Sequence, residues 1–171
     1  MKTAELLTDA FARVQEAVHQ AVEGLSEKEL VARVDAESNS IAWLVWHLTR
    51  IQDDHVADAF GTEQVWTSEG WSGRFGLPFP EGATGFGHSA QQVAAVHAPA
   101  DLLLAYYDAV HARTLTHVAP LSDTDLDRVV DTRWTPHVTL GVRLVSVIAE
   151  DNQHAGQAAY VRGVVERGEA V

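Results

Sequence analysis

Four long stretches of this sequence repeat apolar residues every three or four positions, and almost nothing in it alternates with a period of two. In the first, Leu6, Leu7, Ala10, Phe11, Val14, Val18, Ala21 and Val22 mark one helical face, with Thr3 as a cap and Gly24 as a stop. The second opens on Ser38-Asn39-Ser40, runs Ile41, Leu44, Val45, Leu48, Gln52, Val56 and Ala59 along a face, and ends at Gly61. The third follows Gly87-His88-Ser89 and includes Asp101 to Val118; Pro99 either breaks it or begins it. The fourth spans about Thr139 to Arg167. The expectation is an all-α helical bundle. The stretch LDRVVDTRW is the one candidate for a short strand or an extended piece.

At 171 residues the chain fits one domain, 1–171. A chain of that size buries about 70% of the surface its unfolded form exposes, enough to fold without disulfide or structural metal. It has no cysteine, so chemistry on a protein thiol and cysteine zinc sites are excluded, while a thiol substrate is not. Its N-terminus lacks the apolar segment of a signal peptide, and no apolar run reaches the roughly 20 residues of a membrane span. We expect a soluble, cytoplasmic protein. A formal net charge of −12 without a basic stripe argues against nucleic acid and anionic membranes as partners. Monomer and homodimer are both compatible with the sequence.

The connection from Gly61 to Gly87, between the second and third long helices, carries Trp66, Trp71, Phe75, Phe79 and Phe86 among seven glycines. Loops this long in a compact domain are functional or mobile. Two readings are open: a lid, or an aromatic cover over one end of the bundle. There is also an internal echo. Leu25-Ser26-Glu27-Lys28-Glu29-Leu30 reads like Leu121-Ser122-Asp123-Thr124-Asp125-Leu126, and Val34-Asp35 like Val130-Asp131, all at an offset of 96. This suggests two related helix pairs whose second members face each other; capping chemistry alone can also produce such motifs.

EDNQHAGQ interrupts the apolar fourth helix. Glu150 and His154 stand four residues apart, so both reach one point in space, the spacing at which helix-borne ligands chelate a metal in bundle cores. On the second helix Trp43, His47, Asp54 and Asp58 share a stripe. His47 would complete a His2Glu set, and three protein ligands with an open position are the pattern of a catalytic zinc site. Against this stand a hydrogen-bonded core histidine at 47 and an ordinary i,i+4 pair at 150 and 154 on a solvated face. The apolar residues flanking the pair favour the metal, because polar groups buried there need a partner. Asp54 is a candidate to orient a ligand histidine from behind. His88 is placed at a helix start, where it caps or touches a ligand. The remaining histidines, at 19, 55, 97, 111, 117 and 137, are expected at the surface.

NSIAWLVWHL together with EDNQHAGQ resembles the DinB-like four-helix-bundle superfamily, closest to its mycothiol-dependent branch of maleylpyruvate isomerase and mycothiol S-transferases. The resemblance extends over most of the chain. It implies an up-down-down-up bundle with a metal at one end, held here by His47, Glu150 and His154, with zinc as the usual metal and nickel in related bundles. Many members carry a third histidine where this chain has Glu150, and His-Glu-His resembles the thiol-dependent branch. The isomerase carries a further C-terminal domain that these 171 residues do not include, which argues against that specific reaction. The resemblance implies a metal-dependent transferase that activates a low-molecular-weight thiol and joins it to a small electrophile. Asp54, Asp151 and Arg143 are its candidate supporting residues, Arg143 for an anionic part of a substrate. A hydrolase using the same metal and a non-catalytic ligand-binding bundle are the alternatives.

Overall fold

A computed structural model describes residues 2–171. Four long helices carry the fold: α1 (Thr3–Val22), α3 (Ile41–Phe60), α7 (Ala100–Val118) and α8 (Leu140–Glu166). Between them lie the short helices α2 (Glu27–Val31), α4 (Val65–Ser68), α5 (Trp71–Phe75) and α6 (Ala90–Ala94), a 3-10 turn (Asp123–Asp127) and the strands β1 (Val129–Asp131) and β2 (Val138–Thr139). The helical periods predicted four long helices; Thr3, expected as the cap of α1, is instead its first helical residue with Lys2 at the N-cap, while the ends of α3 follow their capping chemistry. Ser40 Oγ accepts the Trp43 N–H at the start of α3, and Gly61 ends that helix at φ 65°, a left-handed conformation glycine adopts without steric cost. Pro99 is the N-cap of α7, so it begins that helix. α6 is a separate capped turn before it.

Side-chain contacts give the directions. Arg162 late in α8 donates to the carbonyls of Gln20, late in α1, and Glu23, its C-cap, both at 2.8 Å, so these helices are parallel. Arg50 donates to the Tyr106 hydroxyl at 3.4 Å, and ten residues further along α3 Phe60 stacks on His117 at 4.4 Å, so α3 and α7 are also parallel. His47 lies beside His154 and Arg143 beside His55, so α3 and α8 are antiparallel. The order is up-down-down-up. α3 and α8, the second members of the two pairs, face each other along the bundle.

Every residue from Ile41 to Arg50 is buried. Helices cannot cover both sides of one helix in a four-helix bundle, so the outer side of α3 needs another cover. The connection after Gly61 supplies it. Trp66, Trp71 and Phe75 are buried in the main core, and Phe79 packs against it; Phe86 is 89% exposed. The connection is tied to α3 by two charged side chains. Asp53 accepts the backbone N–H groups of Val65 and Trp66, both at 2.8 Å, and Arg50 donates to Gln64 at 2.9 Å and to the Ala83 carbonyl at 3.1 Å.

The internal echo has a structural counterpart. The Ser26 and Ser122 N–H groups each donate to an acid three residues on, Glu29 and Asp125, both at 2.8 Å. The copies then diverge: Val130-Asp131 enters β1, which pairs antiparallel with β2, while Val34-Asp35 forms a bend. So LDRVVDTRW contains a strand. Asp131 is buried and held by Arg133 and Arg143, each at 2.8 Å. The Arg133 side-chain and backbone hydrogen bonds, with the charges of both arginines, hold its carboxyl well below the usual carboxylate range. A depressed carboxylate stabilises the fold above its unfolded pKa and loses that contribution as pH falls toward the folded value. Thermal unfolding across a pH series is expected to show Asp131→Asn less stable than the parent at neutral pH, with the difference shrinking below about pH 4.

Among the described residues no helix is long and apolar enough to cross a membrane.

Candidate metal centre

α3 and α8 run antiparallel in close contact, so one turn of each meets at mid-length. This brings His47 to Glu150 and His154. The His47 Nε2 lies 3.6 Å and the His154 Nε2 3.1 Å from the same Glu150 oxygen, Oε1. Each residue offers one ligand atom, and the three atoms lie within 4.8 Å of one another. His47 is buried, its side chain 4% exposed, while the Glu150 side chain is 38% exposed, so the cluster has a closed inner side and an open outer one.

The outer hydrogen bonds decide what the cluster can hold. The His47 Nδ1 faces the Thr84 carbonyl at 2.5 Å, and the His154 Nδ1 faces the Gln157 Oε1 at 2.8 Å. A backbone carbonyl only accepts, so the His47 Nδ1 carries the proton and its Nε2 presents a lone pair to the centre; with the Gln157 amide oxygen toward the ring, His154 takes the same tautomer. Burial lowers the pKa of His47, the Thr84 bond and Glu150 oppose this, and the neutral imidazole is favoured. Two lone pairs and a carboxylate oxygen directed at one point form an acceptor set without a donor. That donor set fits a divalent cation of borderline softness.

Trp43 walls the centre. Its ring stacks on His47 at 4.6 Å between centroids, meets His154 edge-on at 6.3 Å, and its Nε1–H donates to the His88 Nδ1 at 3.2 Å. His88 also stacks on Trp46 at 5.8 Å. Its role is to complete this aromatic wall.

The final turn of the 61–87 connection touches the site through its backbone. Gly85 has φ 95°, and a Cβ there would lie 2.8 Å from the His47 Nδ1 and 3.0 Å from the Trp46 ring. Only glycine allows the chain to pass this close to the imidazole while Thr84 accepts its proton. The Gly85→Ala variant is expected to remain helical while losing about 1–3 kcal/mol of stability and roughly 10- to 100-fold in metal affinity. Chelator-competition titration beside thermal unfolding checks both.

The remaining predicted residues lie elsewhere. Asp54 does not reach His47: its Oδ1 accepts from Gln64 at 2.8 Å, two helical turns along α3. The orienting partner of His47 is a backbone carbonyl, which leaves no side-chain signature in a sequence. Arg143 is two turns from Glu150 toward the other end of α8, in an ion pair with Asp131. Asp151 is fully buried, pointing inward while Glu150 points outward, and neither of its oxygens has a hydrogen-bond partner among the described residues. Burial, then the charge of Glu150, push its carboxyl well above the usual range. Of the histidines expected at the surface, His97 and His137 are exposed and His19, His55 and His117 are half-buried. His111 is a correction: it lies 5% exposed on the inner face of α7, stacked on Tyr107 at 6.1 Å.

Comparison with known proteins gives two findings. The family described as "MST: Mycothiol-S-transferase" matches residues 6–167. A solved structure, described as the conserved protein of locus from Enterococcus faecalis, superposes with a TM-score of 0.89 at 30% identity, covering 96% of this chain and 98% of that one. No curated protein matches the sequence at a significant level.

Proposed function

This chain belongs to the mycothiol-S-transferase family, and from that premise we propose that it is a metal-dependent transferase joining a mycothiol-type thiol to a small electrophile. It would act through one DinB-like helical-bundle domain spanning residues 1–171. The observation that carries the metal dependence is the pair of histidines whose Nδ1 atoms both face acceptors while both Nε2 atoms approach one Glu150 oxygen. His47, Glu150 and His154 would be the ligands. A divalent cation bound there, zinc first and nickel as the alternative, lowers the pKa of a thiol that joins it.

The chain's own residues do the rest. The Thr84 carbonyl and the Gln157 amide fix both imidazoles in one tautomer. Trp43 covers His47 and keeps water from the inner side of the centre. The half-exposed Glu150 leaves the outer side accessible to substrates. The chain has no cysteine, so the reacting sulfur comes from the cosubstrate. In the transfer the thiol gives up its proton to solvent, a sulfur–carbon bond forms, and the leaving group departs with its electron pair.

The test is conjugation of mycothiol to monobromobimane, a bromide-releasing electrophile, by protein purified without a histidine tag. Turnover is expected to track the content of one metal per chain, to stop with chelator and to return with added zinc or nickel. Chelator-insensitive turnover by metal-free protein would refute the metal dependence. Ester hydrolysis in thiol-free buffer would instead point to a hydrolase built on the same three residues.

A further inference from the structure

We propose that Phe86 selects the electrophile: its ring rests on an uncharged molecule with a flat apolar body as that molecule meets the thiol at the metal centre. The proposal rests on the thiol-transfer reading above and adds to it a residue that contacts the second substrate. The turn that carries Phe86 is fixed to the centre at both ends. The His88 N–H donates to the Gly85 carbonyl at 3.1 Å and closes Gly85–His88 into a turn. Before Phe86, the Thr84 carbonyl accepts from His47 and Gly85 packs on that imidazole. After it, the His88 Nδ1 accepts from the Trp43 Nε1–H at 3.2 Å, and its ring stacks on Trp46 at 5.8 Å and lies 4.6 Å from Phe79. Consecutive Cα atoms are about 3.8 Å apart. A Cβ on Gly85 would lie 2.8 Å from the His47 Nδ1, so the Phe86 Cα is within about 8 Å of that imidazole.

Despite this anchoring the ring is 89% exposed, more than any other large hydrophobic side chain among the described residues. The same connection buries Trp66, Trp71 and Phe75 and packs Phe79 on the core. The turn does not call for phenylalanine either, since Gly, Pro, Asn, Asp and Ser are the residues that turns favour. Neither core packing nor backbone geometry accounts for an aromatic ring here. Covering its apolar surface is favourable, and a ligand held at the centre is placed to do so. An exposed side chain changes rotamer in picoseconds to nanoseconds, so the ring turns over a bound molecule while its backbone stays anchored.

The surroundings set the charge of the occupant. The Glu150 carboxylate borders the open side of the centre. Arg50, three residues beyond His47, is fully buried beneath the connection, and Arg143 is paired with Asp131. An anionic electrophile therefore meets a carboxylate and neither of these guanidinium groups. An uncharged one loses nothing by their absence and gains the face of Phe86.

The experiment compares two uncharged electrophiles that both release a halide: monobromobimane, with a flat bicyclic body, and iodoacetamide, with none. In Phe86→Ser the ratio of kcat/KM for monobromobimane to that for iodoacetamide should fall about tenfold, through KM for the bimane. Phe86→Leu, which keeps an apolar side chain, should recover most of that loss. A role confined to the fold would lower both substrates alike, and thermal unfolding with metal analysis confirms that both variants fold and load zinc. Fluorescence titration with dimethylbimane, which carries no bromine and cannot react, reads the contact without turnover. The zinc-loaded parent should bind it at least about fivefold more tightly than Phe86→Ser. An unchanged ratio in Phe86→Ser, or equal affinity for dimethylbimane, overturns the proposal. If conjugation proceeds with that unchanged ratio, the transferase stands without Phe86. If neither electrophile is conjugated, the transferase reading fails and the electrophile assignment falls with it, whereas Phe86-dependent binding of dimethylbimane would leave the apolar contact standing.

Discussion

His154→Ala is expected to lose its metal and, with it, all but about one percent of thiol-transfer activity. The substitution removes one of three donors and leaves a buried imidazole and one carboxylate, too few to hold a divalent cation against water. Removing an outer-shell partner costs roughly 10- to 100-fold in metal affinity, and removing a ligand costs more than that. The fold should survive. The His154 side chain lies at the rim of the bundle, 15% exposed, and bonds only to Gln157 and Glu150 on its own helix. Thermal unfolding in chelator should therefore match the parent within a few degrees, while elemental analysis of purified protein shows the loss. Added zinc should raise the Tm of the parent and not of the variant, because a ligand that binds only the native state stabilises it. A variant that keeps a full equivalent of metal and full turnover would exclude His154 as a ligand.

Asp53→Ala should produce the largest loss of stability in the molecule. Asp53 is 4% exposed and accepts from the N–H groups of Val65 and Trp66 and from the Tyr106 hydroxyl, with the buried Arg50 guanidinium 3.7 Å away. Burial raises its pKa, and these four partners oppose the rise. Alanine would leave two backbone donors, a tyrosine hydroxyl and an arginine charge without their acceptor in the core. Breaking one side of a buried pair costs about 3–5 kcal/mol, equivalent at this size to a Tm lower by roughly 10 °C or more. Asp53→Asn keeps the volume but turns an amide donor toward one of these donors, and should fall between. Equilibrium urea unfolding measures the difference; a loss below about 1 kcal/mol would show that Arg50 finds another partner.

The sequence carried the four helices because their signal is periodic and local: apolar spacing in all four, a serine or threonine at the start of α3 and α8, glycine at the end of α3. It carried His47, Glu150 and His154 as a set because i,i+4 spacing on one helix and a single histidine on another require only the helices and their facing. It did not carry the partners. Thr84 holds His47 through a carbonyl that every residue possesses, and Gly85 shows its purpose only once its φ and its distance from the imidazole are known. Asp54 and Arg143 share helices with the proposed ligands, and stripe membership alone placed them near the site. Helical rise carries them two turns away, where Gln64 and Asp131 take them up. The buried tether between Asp53 and α4 joins residues twelve and thirteen apart through backbone donors, a contact no periodicity announces.

The Thr84 carbonyl gives the 61–87 connection a thermodynamic role. If the centre holds a cation as proposed, displacing Thr84 from His47 would weaken the hold on that cation, so loosening this segment and releasing the cation would be coupled equilibria. The free energy that a cation gained there would then reappear as slower hydrogen exchange around Thr84 and Gly85, neither of which is a proposed ligand.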